Sequence, residues 1–435
     1  MLLLAAVARG GLAARWGVTM EEATHWAVGM EGAGSWFDRA LAQLPRDPIG
    51  LRLPGVLLQT AGALSLLRFA PHPVRFAGVV ATLPALGVLG LFATPSSWAI
   101  GLWALGLAAA LQGGRAWVLT GLWAGLGATL GPEVAPTMVA LPMLLVAGAP
   151  AEERRSPWPW VGLGLTLLCA ATGSLATGPD PTVGPVEVVV AQLLWGGPVL
   201  ALAVFVALRE EEDRVATLAR WAAVPVWGGA VLVAALGFRT PDAVISVAWW
   251  GGALILARSE AQGGWLGEVS AWIGLGALAV GVVHVERPVL PLAYDPAARL
   301  SEAEAVADDA VRWAMPAGER RHGPRVGEGP LLFTARPEEA AAIRYHTGLP
   351  AVVWGGCAGG ALSGRPEGDE AVFVRPWSVD PSCVEDAWER TRTQLSEGRD
   401  RGGRRVGVWA WSELRRAPTR GATPAVDEAP DPPGG

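Results

Sequence analysis

Residues 98–130 read WAIGLWALGLAAALQGGRAWVLTGLWAGLGATL. Two apolar runs, Trp98–Leu111 and Trp117–Leu130, fill this stretch, and its one charged residue, Arg115, lies between them. A pair of apolar runs joined by a short connection that carries an arginine is typical of two consecutive transmembrane helices. The stretch therefore predicts a helical hairpin that crosses a membrane twice.

Similar apolar runs continue on both sides of this hairpin, up to about Val285. The 435 residues are 51% hydrophobic and 17% charged, with a mean hydropathy of +0.34, which is more apolar than an ordinary soluble protein. The first run, Met1–Trp16, lacks the small-residue cleavage site of a signal peptide and is interpreted as a first span. About eleven spans are predicted, the others being Leu53–Leu67, Phe76–Phe92, Val134–Ala147, Trp160–Ala176, Val186–Leu208, Trp221–Phe238, Ala243–Ala257 and Val269–Val285.

Arginines between the runs fall in alternate connections. If Met1 is cytoplasmic, the connections after Phe92, Leu130 and Ala176 lie outside, and they hold no arginine. Cytoplasmic connections of membrane proteins carry the excess of basic residues, so the pattern supports this orientation. An odd number of spans then places the first loop, 17–52, and the C-terminal end on the external side. The arginines assigned to the cytoplasm are Arg68, Arg75, Arg115, Arg154, Arg155, Arg209, Arg214, Arg220 and Arg258.

The chain changes character at Glu286, where short β-rich runs begin to alternate with helical stretches. This alternation predicts a small α/β domain over 286–415, after a polytopic all-α membrane bundle over 1–285. A tail rich in proline and glycine, 416–435, is expected to be disordered. The predicted strands are Leu331–Thr334, Ala351–Trp354, Ala371–Val374 and Val406–Trp411, and the predicted helices are Ser301–Trp313, Pro337–His346 and Val384–Leu395.

Residue usage excludes several classes of function. All 34 basic side chains are arginine, so no lysine is present to act as a nucleophile or to form a Schiff base. The net charge of -6 offers no basic face for nucleic acid. The spans contain few ionisable residues, which argues against an ion-coupled transporter.

Three cysteines are present, Cys169 in an apolar run and Cys357 and Cys383 in the C-terminal domain. Their spacing fits no metal-binding pattern, so no metal site is predicted. Cys357 and Cys383 either form a disulfide, if the domain lies in an oxidising compartment, or remain two reduced core cysteines. The sequence leaves both alternatives open.

Polar residues cluster in the first loop, directly after the first span. Glu21 and Glu22 form an acidic pair that is followed by further polar and aromatic residues. A carboxylate held near the membrane surface and partly desolvated is suited to act as a general base. The polar segments are Glu21-Glu22-Ala23-Thr24-His25-Trp26, Trp36-Phe37-Asp38 and Asp47-Pro48-Ile49-Gly50-Leu51-Arg52-Leu53-Pro54.

These segments, together with an external C-terminal domain, resemble the GT-C superfamily of glycosyltransferases that use lipid-phosphosugar donors. The resemblance points to the branch of the protein O-mannosyltransferases and the bacterial lipid A aminoarabinose transferases. It continues loosely through 121–127, Gln192, Pro198 and Asp295-Pro296. The resemblance implies a GT-C-like fold and an inverting transfer of sugar from a polyprenyl phosphate to an external acceptor, with an acidic residue of the first loop as base.

By position, the resemblance assigns Glu21 and Glu22 to the acidic pair of the family, and Asp38 to an acid that normally precedes a His-Pro-Pro motif. These three acids are the candidate catalytic residues. Each also has a structural interpretation, the glutamates as solvated loop residues or N-terminal helix residues. Asp38 is alternatively a helix cap or a partner of Arg39 or Arg46.

The resemblance also implies ligands and a location. The expected partners are membrane lipid, the polyprenyl-phosphate sugar and a glycan, lipid or protein acceptor, with no cofactor besides the donor and the metal requirement left open. The expected location is the inner membrane of a bacterium, with the C-terminal domain in the periplasm. The candidate substrate-binding residues are His25, Trp26, Arg52 and Arg239, where the two arginines take a phosphate-binding role that belongs to a lysine in the family.

The sequence departs from the family pattern in three places. Glu21 stands where the family has aspartate, Arg39-Ala40-Leu41 replaces His-Pro-Pro, and Gly131-Pro132-Glu133 replaces an element similar to Ser-Lys-Tyr. These departures leave an alternative function open. In that alternative the chain is an inactive GT-C-like protein that binds lipid-linked glycans or scaffolds envelope assembly.

Overall fold

The computed structural model describes residues 2–83, 86, 88–172, 213–236, 246–258, 263–287, 298–314, 332–358, 360–364, 370–379, 381–384, 388–399 and 405–416. The chain divides into two compact units, Met1–Leu300 and Ser301–Gly435. The predicted span Val186–Leu208, the positions Gln192, Pro198 and Asp295-Pro296, and the tail from Ala417 lie outside the described residues.

The first unit is helical. Short 3-10 turns lie at Leu89–Leu91, Gly114–Ala116 and Ser246–Ala248. Its helices are α1 (Leu2–Arg15), α2 (Met20–Met30), α3 (Trp36–Ala42), α4 (Pro48–Leu67), α5 (Pro73–Thr82), α6 (Pro95–Gln112), α7 (Trp117–Ala128), α8 (Ala135–Gly148), α9 (Ala151–Arg155), α10 (Pro157–Thr172), α11 (Arg214–Ala235), α12 (Trp249–Arg258) and α13 (Gly263–Glu286).

Two of the described helices are long and apolar enough to cross a membrane, α4 and the part Arg214–Leu232 of α11. Shorter apolar helices cover Ala135–Gly148, Pro157–Ala171 and Ala271–Glu286. The all-helical character predicted for this unit is confirmed within the described residues, whereas the number of about eleven spans remains a prediction. The run predicted over Phe76–Phe92 is interrupted, because α5 ends at Thr82 and Leu83, which precedes a proline, has an extended backbone.

Small residues allow α7 and α10 to pack backbone against backbone. A Cβ atom on Gly121 would lie 2.0 Å from the carbonyl oxygen of Gly162, so no larger residue fits there without moving a helix. The hydroxyl of Thr166 donates to the carbonyl oxygen of Gly121 at 3.1 Å. Such contacts between small residues are typical of helices that associate within a membrane.

Ion pairs join the connections that the sequence assigns to the cytoplasm. Arg214 pairs with Glu153 and donates to the carbonyl oxygens of Ala110 and Leu111 at the end of α6. A cation at a helix C-terminus is favoured by the helix dipole. Arg258 pairs with Asp213, next to Arg214, and donates to the carbonyl oxygen of Phe69 after α4. These connections therefore meet at one end of the unit, as the arginine pattern requires.

The second unit contains a sheet with helices. The helices are α14 (Arg299–Ala314) and α15 (Pro337–Thr347), and the strands are β1 (Leu332–Thr334), β2 (Ala351–Trp354), β3 (Ser363–Gly364), β4 (Glu370–Pro376), β5 (Trp388–Arg399) and β6 (Arg405–Arg416). The strand order is β3-β2-β1-β4-β6-β5, parallel from β3 to β4 and antiparallel at β6 and β5. Phe333, Trp354, Phe373 and Trp388 form the core on this sheet. The predicted α/β character and four predicted strands are confirmed.

The helix predicted over Val384–Leu395 is wrong. Residues Trp388–Arg399 form β5, which pairs with β6 at the edge of the sheet. The side chains of this edge strand are mostly exposed. Thr391 and Thr393 are β-branched and favour a strand, and the hydroxyl of Thr393 hydrogen-bonds to that of Ser412 on β6.

Cys357 and Cys383 form a disulfide, and Cys169 is a free cysteine. The bond joins the turn after β2 to the 3-10 turn after β4, which are separated by 26 residues in the chain. The structure thus selects the paired alternative of the two that the sequence left open. A bond of this kind restricts the unfolded chain and stabilises the folded unit.

Glu339 in the first turn of α15 makes the stability of the second unit depend on pH. Its side chain is buried, and this burial, with the charge of Glu338, raises its pKa from an ordinary value of 4.5 to about 8. The folded unit therefore holds a proton that the unfolded chain releases. The contribution of this proton to the stability of the unit is fully present below the ordinary pKa and is lost as the pH rises through about 8.

We expect Glu339→Gln to melt at a higher temperature than the native chain at about pH 9 and at a similar temperature at about pH 4, because the amide carries no charge to desolvate. Thermal unfolding followed by tryptophan fluorescence measures the difference. Glu370→Gln is the control, because Glu370 is exposed and pairs only at the surface with Arg415. An equal difference from the native chain at both pH values would contradict the assignment.

Candidate active site

The first loop begins with a capping box on α2. The hydroxyl of Thr19 accepts a hydrogen bond from the backbone N–H of Glu22, and the Glu22 carboxylate accepts one from the backbone N–H of Thr19. This reciprocal arrangement satisfies donors that a helix start leaves open. It turns the side chain of Glu22 inward, where it is fully buried.

Arg52 on α4 is the partner of Glu22. Its Nε and Nη2 atoms donate to the two carboxylate oxygens at 2.7 and 2.6 Å. The remaining N–H groups donate to the carbonyl oxygens of Ala13, Trp16 and Gly17 at 2.7 to 3.0 Å. Arginine has five N–H donors, so every one of them is used. The side chain of Arg52 is fully buried and has no donor left for a phosphate.

The Glu22 carboxylate also accepts the backbone N–H of Ala93 at 2.7 Å. The pair therefore joins the end of α1, the start of α2, α4 and the turn after Leu91. Buried charges are tolerated when they are paired and their hydrogen bonds are complete. Because all of these contacts are internal, Glu22 and Arg52 have a structural role in the first loop.

Asp38 and His25 form a second pair in the first loop. The Oδ1 atom of Asp38 lies 2.6 Å from Nδ1 of His25. The Oδ2 atom accepts from the backbone N–H and the hydroxyl of Ser35 at 2.5 and 2.7 Å, as part of a capping box on α3. Helices α2 and α3 approach closely, since a Cβ atom on Gly29 would lie 2.0 Å from the carbonyl oxygen of Asp38.

The pKa values of this pair move apart. Burial alone would lower the pKa of His25, but the hydrogen bond and charge of Asp38, with the charges of Glu21 and Glu133, raise it above its ordinary value. Burial alone would raise the pKa of Asp38, but the hydrogen bond and charge of His25 and the two bonds from Ser35 lower it. Asp38 is therefore ionised, and His25 takes up a proton readily.

Two further carboxylates act on His25. Glu21 lies one helical turn before His25 on α2 and is exposed. Glu133 lies on the connection between α7 and α8, with its carboxylate against Gly131. The sequence placed Glu133 only in an altered motif, and no local signal joins it to the first loop. The hydrogen bonds from Ser35 to Asp38, by contrast, follow a local sequence pattern, because a serine three residues before an acid is typical of a capping box.

Aromatic residues fix α3 to the helices beside it. The ring of Phe37 is fully buried, with its centroid 5.4 Å from that of His25 and 5.0 Å from that of Trp98 on α6. The indole N–H of Trp36 donates to the hydroxyl of Thr129, after α7, at 2.7 Å. The site thus rests on packed helices rather than on a free loop.

The predicted site residues separate into two groups. The structure brings Glu21, His25 and Asp38 together, whereas Glu22 and Arg52 lie in the buried pair. Trp26 is buried, and the guanidinium of Arg46 lies 4.9 Å from its ring centroid. Arg239 lies outside the described residues, and within those residues no group of three or more His, Cys, Asp or Glu is placed to hold a metal ion.

Comparison with known proteins places this geometry in a known fold. No protein-family model matches the chain, and no curated protein matches its sequence. Two crystal structures of ArnT from Cupriavidus metallidurans are similar to it, with a TM-score of 0.60 in the apo state and 0.58 bound to undecaprenyl phosphate. The chain has their fold. Each is 11% identical and covers 94% of this chain and 97% of its own, so the predicted resemblance is confirmed at the level of the fold.

We expect Glu22→Gln to lower the stability of the chain by about 3–5 kcal/mol, because it leaves the charge of Arg52 buried without its partner. Arg52→Lys has a similar effect, since an ammonium group cannot replace the two parallel N–H donors that the planar guanidinium directs at the carboxylate. The apparent melting temperature in detergent measures both. Glu21→Gln is the matched control, since the neighbouring side chain is exposed and its loss changes stability by about 0.5 kcal/mol or less. Equal melting of Glu22→Gln and Glu21→Gln would rule out this role for the pair.

Proposed function

We propose that the chain is a membrane glycosyltransferase that moves a sugar from a polyprenyl-phosphate donor to an acceptor on the external face. The observation that carries the proposal is the His25–Asp38 pair in the first loop of a GT-C fold, with the charges of Glu21 and Glu133 acting on His25. A hydrogen-bonded pair such as His25 and Asp38, whose pKa values are shifted in opposite directions, is typical of sites for proton transfer. One of the similar structures binds undecaprenyl phosphate, which supports a polyprenyl donor.

The reaction that this site fits is a single displacement. An acceptor hydroxyl loses its proton to the site, and its oxygen forms a bond to the anomeric carbon of the sugar. The bond from that carbon to the phosphate oxygen breaks, and the polyprenyl phosphate leaves with the electron pair. No covalent enzyme intermediate forms, so the configuration of the sugar inverts. Arg52 does not bind the phosphate in this proposal, because all of its N–H donors are already used within the protein.

We also propose about eleven membrane spans, a location in the inner membrane of a bacterium and an external C-terminal unit. The meeting of Arg214 and Arg258 at one end of the first unit supports the arginine pattern behind this topology. The Cys357–Cys383 disulfide supports an oxidising compartment for the second unit.

The alternative function is that of an inactive GT-C-like protein that binds lipid-linked glycans or scaffolds envelope assembly. Its support is the structural use of Glu22, which the family resemblance assigned to the acidic pair of the site. The alternative and the enzyme differ in one measurable property, which is turnover.

For the transfer itself, we expect the purified native chain in liposomes to move label from undecaprenyl phosphate carrying radiolabelled mannose or aminoarabinose to a bacterial membrane lipid extract. Asp38→Asn lowers the rate about 10²-fold or more, because His25 loses its charged partner. Glu31→Gln, an acid at the far end of α2, is the control and keeps the native rate. Binding of undecaprenyl phosphate without transfer by the native chain would favour the inactive alternative.

Thiol counting tests the external location of the second unit. Membranes are denatured and treated with a maleimide that adds a resolvable mass to each free thiol. We expect one adduct per chain before reduction, from Cys169, and three after reduction, because the chain has three cysteines and two are paired. Three adducts before reduction would place the domain in a reducing compartment.

A further inference from the structure

We propose that His25 is the general base of the transfer, acting through Nε2, and that Asp38 is the residue that positions it. This inference rests on the proposed function and names the group of that site that takes the proton. It differs from the assignment by family resemblance, which gives this role to an acidic residue of the first loop.

The geometry fixes which nitrogen of His25 is available. With Nδ1 at 2.6 Å from an ionised carboxylate, the proton of the neutral ring lies on Nδ1, and Nε2 carries the lone pair. Among the described residues Asp38 is the one hydrogen-bond partner of His25, so Nε2 has none. The side chain is 23% exposed, which gives a hydroxyl access to it.

Asp38 is unsuited to take the proton itself. Its two oxygens already accept three hydrogen bonds, one from His25 and two from Ser35. Its side chain is 9% exposed, which leaves little surface for a substrate. The carboxylate is also fixed in direction by the capping box, so it holds the imidazole ring in one orientation, much as the aspartate of a serine protease triad does.

The two glutamates of the acidic pair are also poorer candidates for the base. Both carboxylate oxygens of Glu22 are occupied by Arg52, Thr19 and Ala93. Glu21 is exposed to water and acts on His25 by its charge. A base works best when its proton affinity matches the working pH, and a histidine near neutral pH meets this condition.

The surrounding charges fit this step. Nε2 takes the proton of the acceptor hydroxyl as the new bond to the anomeric carbon forms and the polyprenyl phosphate leaves. The ring becomes an imidazolium, whose charge is attracted by Asp38 on α3, Glu21 on its own helix and Glu133 between α7 and α8. Three carboxylates therefore stabilise the cation that the reaction creates, and the positive charge appears only once the proton has moved.

The assignment predicts the direction of the pH dependence. The base is the neutral form of His25, and the carboxylates raise its pKa above the ordinary histidine value. The rate therefore falls as the pH drops through that raised pKa. Removing a carboxylate lowers the pKa, so the acid side of the rate profile moves to lower pH.

The test measures kcat against pH for the full chain in liposomes, with the radiolabelled undecaprenyl-phosphate sugars and lipid extract described above. We expect His25→Gln to lower kcat about 10²–10⁴-fold while undecaprenyl phosphate still binds. Glu21→Gln and Glu133→Gln retain transfer at a reduced rate and move the acid side of the profile to lower pH. Glu31→Gln leaves both rate and profile unchanged.

A second variant guards against misfolding. In His25→Ala, added imidazole restores part of the lost rate, a result that a purely structural role for His25 does not give. The base role is overturned if His25→Gln keeps the native kcat. It is also overturned if Glu21→Gln alone removes the fall of kcat at low pH. If the native chain itself transfers no sugar, the proposed function fails and the base role fails with it.

Discussion

The buried pair of Glu22 and Arg52 is the interaction on which the first unit depends. Neither charge is stable in an apolar interior alone, so each requires the other and a full set of hydrogen bonds. Their partners come from the end of α1, the start of α2 and the turn at Ala93. Apolar side chains of Ala13, Trp16 and Leu91 pack in the same region. The pair thereby fixes the first loop to the helices around it.

The chemistry of the site depends on this fixed loop. Helices α2 and α3 pack closely against each other, and this packing brings His25 into contact with Asp38. Phe37 and Trp36 then tie α3 to α6 and α7, which bring the connection that carries Glu133. His25 and Asp38 thus lie on packed helices, which is the preorganisation that electrostatic stabilisation requires.

Sequence and structure agree where the signal is local and differ where it is not. The hairpin at 98–130 appears as α6 and α7, and the alternation after Glu286 appears as a sheet with helices. Glu21 and Glu22 are the same residue type in neighbouring positions, yet one is exposed and one buried. What separates them is Arg52, 30 residues further along the chain. The role of β5 as a strand likewise depends on its pairing with β6, for which Thr391 and Thr393 are the local signal.

The cap that Arg52 places on α1 bears on how the chain acquires its shape during synthesis. The carbonyl oxygens of Ala13, Trp16 and Gly17 have the guanidinium of Arg52 as their donor. Domains and their parts fold as the ribosome releases them, from the N-terminus onward. The first loop therefore cannot form its final contacts until translation has passed residue 52. In the nascent chain, the end of α1, the helix made first, is completed only when α4 has been made.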